Sequence, residues 1–180
     1  SEDPNGSLIV ASNTSGLYIS KGTIFNNYDE TNGITDQKVL SVQQLNDSVL
    51  FFLTPDQLYA INIFNEKIYK PVDLSNIKEP QFIDFIISQH KKLFLYTKTN
   101  LLYIADLNDP KKVKTVKGIE GTNLNKLYID RNNRLCLALS KGSYFLNEAE
   151  TEILKEDLFE LRSHVFDIYE DRSGSKYYLT

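Results

Sequence analysis

A strand–turn–strand unit recurs along the chain at a nearly constant spacing, and this recurrence restricts the possible folds more than any other feature. The intervals between successive units are 41, 44, 42 and 41 residues, counted from Leu8, Val49, Leu93, Leu135 and Lys176. In the first four units a second strand-like segment begins nine residues further on, at Leu17, Leu58, Leu102 and Tyr144. A constant inner spacing with a variable outer spacing indicates one structural unit, repeated with loops of different length.

Repeats of about 40 to 45 residues that are built from short strands are typical of β-propeller blades. We therefore predict an all-β fold, an arc of four-stranded antiparallel blades with about 42 residues per repeat, as part of a larger propeller. One propeller segment, 1–180, would contain blades 37–70, 81–116 and 125–155 and partial blades 7–27 and 164–180. The alternative is chance recurrence of a common strand–turn–strand pattern.

The apolar pattern also predicts which residues form the core. Phe82–Ile87 is nearly continuous in apolar character, which favours an inner strand covered on both faces by neighbouring blades. Glu148–Phe159 is rich in Glu, Leu and Lys and is compatible with a helix, but the repeat favours an outer strand there. The predicted core contains Ile9, Leu40, Val42, Leu50, Phe52, Phe85, Leu95, Leu127, Leu137 and Ile168.

Composition and charge disfavour several classes of partner. The net charge of −4 is spread along the chain, whereas nucleic-acid binding requires a basic face. No run of 18 apolar residues occurs, so we expect no membrane span inside this segment. The one cysteine, Cys136, lies in an apolar strand and is expected to be a buried, inert thiol. Because the chain begins at Ser1 without Met, we expect a processed or excised piece.

Two stretches resemble the two-component regulator propeller repeat. Tyr169–Thr180 has an acidic turn followed by Gly174, an aromatic residue (Tyr177) where the repeat usually has Trp, and the closing Thr. Ile129–Ser140 is a degraded copy, with Cys136 at the Trp position.

A third stretch, Asn32–Val42, resembles the segment between blades in that family, and Tyr28 just upstream also fits. The middle unit departs from the pattern, since Gln89–Lys92 replaces the Asp-Gly turn. The resemblance covers nearly the whole chain, but its specific residues lie in these three stretches.

The resemblance implies the sensor region of a hybrid two-component system histidine kinase of the glycan-sensing type. In that family the propellers are extracytoplasmic and precede a β-sandwich domain, a membrane span, a histidine kinase and a DNA-binding module. We expect a periplasmic propeller that binds an oligosaccharide and signals to a kinase outside this segment. Its expected partners are that ligand, the remainder of the propeller and the downstream domains, with membrane contact only through a span outside the segment.

The loops on one face of the predicted propeller supply candidate ligand-binding residues. Loops that enter the inner strands share a face with the turns between second and third strands, and they carry polar and aromatic side chains. Sugar recognition needs planar hydrogen-bonding side chains beside an aromatic platform. The candidates are Tyr28, Asn32, Asp36, Glu120, Asn123, Arg162 and His164.

The sequence gives no sign of a catalytic, metal or cofactor site, and we expect no enzymatic activity in this segment. His90 and His164 lie far apart without spaced partners, so we interpret both as surface or turn histidines. Asp47, Asp130 and Asp171 recur at turns and are interpreted as Asx-type turn formers. Spatially paired carboxylates of a glycoside hydrolase stay a minor alternative.

A second class of function is a non-catalytic scaffold propeller that docks protein. An open arc of blades would leave apolar faces uncovered near Leu8 and Tyr178, and Lys176–Thr180 would leave an unpaired strand edge. We therefore expect the isolated segment to associate through these ends, most simply as a homodimer.

Overall fold

The computed structural model describes residues 8–21, 24–78, 80–156 and 164–180. Within these ranges, seventeen strands form five antiparallel sheets, and one short 3-10 helix spans Glu30–Asn32. The chain divides into two compact units, Ser1–Phe82 and Ile83–Thr180. The assignment of all five sheets to one propeller segment stays a prediction.

The first unit contains two sheets. The three-stranded sheet consists of β1 (Ile9–Ala11), β2 (Leu17–Lys21) and β3 (Ile24–Tyr28). The four-stranded sheet consists of β4 (Ser41–Asn46), β5 (Val49–Leu53), β6 (Leu58–Asn62) and β7 (Lys67–Tyr69). Strands that follow one another in the chain are neighbours in each sheet, as in the blades of a propeller.

The second unit contains three sheets of the same kind. The first comprises β8 (Phe82–Ile87, which begins at the unit boundary), β9 (Lys92–Thr97), β10 (Leu101–Asp106) and β11 (Asp109–Lys117). The next comprises β12 (Leu124–Ile129), β13 (Leu135–Leu139), β14 (Gly142–Leu146) and β15 (Ile153–Lys155). The last is a pair, β16 (Asp167–Glu170) and β17 (Lys176–Leu179).

Strand β13 shows how apolar residues on both faces position the sheets of the second unit. Its odd-numbered residues, such as Leu137, pack in a cluster with Phe94 and Leu102 of the preceding sheet. Its even-numbered residues, such as Cys136, pack in a cluster with Ile168 of the following sheet. Successive side chains on a strand point to opposite faces, so a continuous apolar run requires a neighbour on each side.

The first unit has a core of the same type. Ile9, Leu17 and Ile34 cluster with residues of β5 and β6, among them Phe52 and Tyr59. The rings of Phe52 and Tyr59 stack with centroids 5.2 Å apart. The β1–β3 sheet therefore packs face to face on the β4–β7 sheet.

Eight of the ten predicted core residues are buried, whereas Leu40 and Val42 are half-buried. The prediction that Phe82–Ile87 is covered on both faces is wrong in detail, because Ile83, Asp84 and Ile86 are half-buried. The reason is position: β4 and β8 are edge strands of their sheets, while the fully covered strands are the central ones.

The predicted Asx turns are present at Asp130 and Asp171, and at the third position a neighbouring residue takes the role of Asp47. The Oδ1 atom of Asp130 accepts from the backbone N–H groups of Asn132 and Arg134 at 3.1 and 2.9 Å, as an Asx turn requires. Asp171 forms the equivalent turn. In the turn between β4 and β5, the side chain that accepts from the backbone N–H groups is that of Asn46 and not that of Asp47. This turn is shorter than the other two, and its first residue, Asn46, is also the last residue of β4.

The segment Glu148–Phe159, whose sequence is compatible with a helix or an outer strand, contains β15 (Ile153–Lys155). The predicted outer strand is therefore confirmed there. The remainder of that segment, from residue 157, lies outside the described residues.

Replacing Leu137 by Ala tests the two-sided burial of the central strand. Leu137 is fully buried, so we expect a loss of about 2–5 kcal/mol in the free energy of unfolding, measured by urea denaturation. Leu154→Ala on the outer strand β15 is the control, since Leu154 is 36% exposed, and it should cost less than about 1 kcal/mol. Equal losses would contradict this packing.

Candidate functional site

The second unit contains a cleft of about 600 Å³, and three turns form most of its wall. These are the turns that join β8 to β9, β12 to β13 and β14 to β15. All three lie at the same end of their sheets, opposite to the long loops that the sequence favoured. The lining residues are His90, Lys92, Phe94, Asn132, Asn133, Arg134, Leu135, Leu146, Asn147, Glu148 and Glu150.

Asn133 is held in the left-handed backbone region, with φ at 59°, by the Asx turn of Asp130. Asparagine tolerates this conformation better than most residues do. The side-chain Oδ1 of Asn133 is buried and has no hydrogen-bond partner within the described residues. A buried acceptor without a partner costs free energy, and Asn133, whose acceptor is unused, is a residue of the cleft wall.

The turn between β14 and β15 is fixed by Asn147. Its Oδ1 accepts from the backbone N–H groups of Thr151 and Glu152 at 2.9 and 3.3 Å. This turn places Glu148 and Glu150 at the cleft, and Glu150 forms an ion pair with Lys92 at the start of β9. The pair joins two neighbouring sheets beside the cleft.

Arg134 is held in place by contacts on three sides. Its Nε lies 3.1 Å from Asp130 Oδ2, and its Nη2 lies 3.3 Å from Glu156 Oε1. The guanidinium carbon lies 4.4 Å from the centroid of the Phe145 ring. Two of its five N–H donors are used in these ion pairs, so the group can still donate to a ligand in the cleft.

Behind Arg134, the same two carboxylates bind a second cation. Lys176 Nζ lies 3.4 Å from Asp130 Oδ2 and 3.0 Å from Glu156 Oε1. Burial disfavours the ionised form of Glu156, but hydrogen bonds from Ser143 and Lys176 outweigh it and lower its pKa. Burial likewise opposes ionisation of Asp130, and the Arg134 backbone N–H with the nearby cations lowers its pKa.

Cys136 lies in the same region and is fully buried, so the predicted buried thiol is confirmed. Burial raises the pKa of this thiol to about 11. A thiol with such a pKa is protonated at neutral pH and is a poor nucleophile, which agrees with a structural role.

Three sequence-predicted site residues lie in the first unit, and none presents a free polar group to a cavity. Tyr28 is part of the buried core cluster. Asn32 accepts from the backbone N–H of Asp29 at 3.1 Å as part of a capping box. Asp36 accepts from the backbone N–H of Lys38 at 2.8 Å. Local turn geometry therefore accounts for the contacts of Asn32 and Asp36.

The other candidates lie in the second unit. Glu120 forms an exposed ion pair with Lys117 at 2.6 Å, and the exposed Asn123 is fixed through its backbone to Ser140. His164 is exposed and stacks on Phe166 with ring centroids 5.9 Å apart, and His90 is an exposed turn residue, as predicted. Arg162 lies outside the described residues. None of the six described candidates lines the cleft.

Sequence reasoning missed the cleft because its residues look like ordinary turn formers. Asn132 and Asn133 follow Asp130 in a repeated Asx turn, which explains them without a ligand. The available signal was that Gln89–Lys92 departs from the turn pattern of the repeat at one wall of the cleft.

Two negative findings apply to the part of the chain that the structure describes. No helix there is long and apolar enough to cross a membrane. No group of three or more His, Cys, Asp or Glu side chains among the same residues could hold a metal ion.

No protein-family model and no curated protein matches this sequence. Solved structures do match. The extracellular domain of BT3049 from B. thetaiotaomicron, described as a hybrid two-component system, is 18% identical with a TM-score of 0.75. That alignment covers 97% of this chain and 24% of that chain.

The extracellular domain of BT4673 from the same organism, also described as a hybrid two-component system, is 16% identical with a TM-score of 0.74. There the alignment covers 96% of this chain and 24% of that one. This chain therefore spans about a quarter of the length of these two structures.

Virginiamycin B lyase from Staphylococcus aureus, an enzyme, is 11% identical with a TM-score of 0.77, over 99% of this chain and 61% of that chain.

These similarities confirm the predicted all-β propeller fold. Extracellular domains of hybrid two-component systems are among the structural neighbours, as the sequence resemblance predicted.

The two carboxylates behind Arg134 make the stability depend on pH. A carboxyl whose folded pKa is lowered stabilises the fold above its unfolded pKa, and that contribution is lost as pH falls through the folded pKa. We therefore expect the free energy of unfolding to decrease as pH falls below about 4.5, the ordinary value for Glu. Urea denaturation at a series of pH values measures this.

Glu156→Gln should lower the stability at pH 7 by about 1–3 kcal/mol, because the two cations lose a half-buried charged partner but keep Asp130. It should also reduce the fall in stability between pH 5 and pH 3. A variant whose pH dependence equals that of the parent protein would contradict the pairing of Glu156 with Arg134 and Lys176.

Proposed function

We propose that the chain is an extracytoplasmic, periplasmic ligand-sensing propeller of a hybrid two-component regulator, which signals to a histidine kinase outside this segment. The proposal is supported by the fold shared with the extracellular domains of two such systems and by the residues that resemble their repeat. Its partners would then be a small ligand, further propeller blades and downstream domains. Nucleic acid and the membrane would be contacted by other parts of the protein.

The ligand is an oligosaccharide, and it binds in the cleft of the second unit. The observation that carries this assignment is the cleft wall at Asn133, a lining residue whose buried Oδ1 has no hydrogen-bond partner within the described residues. A sugar hydroxyl in the cleft can accept from a neighbouring donor such as Arg134, and it can donate to this oxygen when the Asn133 side chain turns toward the cleft. Leu135 and Leu146 are buried below the cleft, and the exposed ring of His90 in the cleft wall supplies a planar surface for one face of the sugar ring.

The charges of the cleft favour a neutral saccharide over an acidic one. Lys92 is ion-paired with Glu150, and Arg134 is ion-paired with Asp130 and Glu156. Glu148 adds a further exposed negative charge. A carboxylated or sulfated sugar would have to compete with carboxylates for both cations, whereas hydroxyl groups can use the N–H donors that remain.

We propose binding without catalysis and without a cofactor. Retaining and inverting glycosidases need one carboxylic acid that can protonate the leaving group. Of the two carboxylates at the cleft, Glu150 is engaged by Lys92, which favours its role as a structural pair. Release of a shortened sugar during the binding assays below would show an enzyme instead.

Asn133→Gly tests the site, because glycine keeps the left-handed backbone and removes only the side chain. A neutral oligosaccharide that binds the parent protein, selected on a glycan array, should bind this variant at least about tenfold more weakly, since one buried hydrogen bond is lost. Isothermal titration calorimetry on the full chain measures the change in Kd.

Asn123→Ala is the matched control on the opposite face of the same unit, where the sequence placed its candidates. It should leave the Kd unchanged. Loss of binding in Asn123→Ala with retention in Asn133→Gly would move the site to that face and refute the cleft. Absence of saccharide binding by the parent protein would refute the ligand class.

A scaffold function is the second candidate, and exposed apolar residues on the β16–β17 sheet favour it. Tyr169, Tyr177 and Leu179 lie on one face of this pair and are 64%, 55% and 62% exposed. Exposed apolar patches on a sheet are typical of surfaces that bind another protein. A homodimer formed through this face would match the association expected from the sequence.

Tyr177→Ser combined with Leu179→Ser should shift such a dimer to monomer, as measured by light scattering coupled to size-exclusion chromatography. The control is Phe64→Ser, an exposed aromatic residue of the first unit, which should leave the mass unchanged. A parent protein that is monomeric at all concentrations would contradict the homodimer.

A further inference from the structure

Glu156 connects the cleft to the β16–β17 sheet, although it does not itself line the cleft. Its Oε1 accepts from Arg134 Nη2 at 3.3 Å and from Lys176 Nζ at 3.0 Å. Its Oε2 accepts from Ser143 Oγ at 2.7 Å and from Tyr178 OH at 3.1 Å. One carboxylate thus binds a residue of the cleft wall and two residues of β17.

These contacts are largely shielded from solvent. The side chains of Glu156 and Lys176 are 14% and 17% exposed, and that of Asp130 is 2% exposed. Solvent screens such a cluster much less than it screens surface ion pairs. Loss of one member therefore displaces the others instead of leaving them in place.

Three partners of Glu156 lie in two different parts of the unit, the strand β17 and the cleft wall. Lys176 and Tyr178 belong to β17, which packs through Ile168 of its partner strand β16 on the even-numbered face of β13. Arg134 belongs to the turn that holds Asn133, the residue with the unused acceptor. The carboxylate of Glu156 therefore affects both the packing of β17 on its neighbouring sheet and the position of the Arg134 guanidinium at the cleft.

We propose that Glu156 is a positioning residue of the cleft, which acts through Arg134 and couples the cleft geometry to the seating of the β16–β17 sheet. This inference rests on the proposed function, because it gives the saccharide site a physical connection to a second sheet. A saccharide that accepts from the remaining Arg134 N–H groups stabilises the cluster of charged side chains around Glu156. It therefore also stabilises the packing of β17 on its neighbouring sheet. By thermodynamic reciprocity, a loosened β17 weakens the binding of the saccharide.

The first test needs no ligand. In Glu156→Gln, hydrogen exchange of the Arg134 side-chain Nε–H and of the β17 backbone amides, followed by NMR on the full chain, should both accelerate at least about tenfold. Glu152→Gln, an exposed residue just before β15, should change neither rate. The Arg134 side-chain signal distinguishes positioning from a merely structural role, because loose packing of β17 alone would leave it unchanged.

Acceleration of the β17 amides with an unchanged Arg134 side chain would overturn the proposal, and so would the reverse pattern. If Glu156→Gln does not fold, Tyr178→Phe removes one hydrogen bond to the same carboxylate and keeps its charge. A smaller acceleration at both places is then expected, and acceleration at β17 alone would again overturn the coupling.

The second test uses the neutral oligosaccharide that binds the parent protein most tightly on the glycan array. Its Kd should rise at least about tenfold in Glu156→Gln, and its binding to the parent should slow exchange in β17. An unchanged Kd would refute the positioning role while the saccharide site stands. If no saccharide binds the parent, the proposed function fails, and the ligand-free exchange rates still decide whether Glu156 couples the two places.

Discussion

Burial of the central strands on both faces is the constraint on which the other features of this fold depend. Every residue of β13 is buried, and so are all but the first residues of β5 and β9. A sheet that contains such a strand cannot expose either face to water without a large loss of hydrophobic free energy. A sheet with such a strand therefore needs cover on both faces, and the β12–β15 sheet has it from the sheets before and after it.

The junction between the β12–β15 and β16–β17 sheets departs from this apolar rule. Asp130, Arg134, Glu156 and Lys176 are placed there together with the small apolar cluster around Cys136. Apolar contacts tolerate sliding, whereas a buried carboxylate with four specific donors fixes one register. At this junction, burial supplies the attraction and the charges supply the specificity.

The fold could be predicted from sequence because it is encoded redundantly, by continuous apolar runs within the central strands and by the recurrence of strands along the chain. The cleft could not, because three turns that are far apart in sequence form it, and each turn is explained locally. Asn133 looks like a turn residue, and only the structure shows its unpartnered oxygen. Glu156 follows the outer strand β15, and its contacts with Lys176 and Tyr178 join residues 20 and 22 positions apart, which no local pattern reveals.

Loops often carry function, which makes the long loops a candidate binding face, and two of their candidate residues use their side-chain oxygens locally. The oxygens of Asn32 and Asp36 accept from backbone N–H groups within three residues of their own position. Short turns have a different property, because their backbone is fixed by the strands that they join. A ligand held between turns of two sheets contacts both sheets at once, so its binding energy depends on how those sheets are placed. A long loop would instead adjust locally, and the sheets would not sense the ligand.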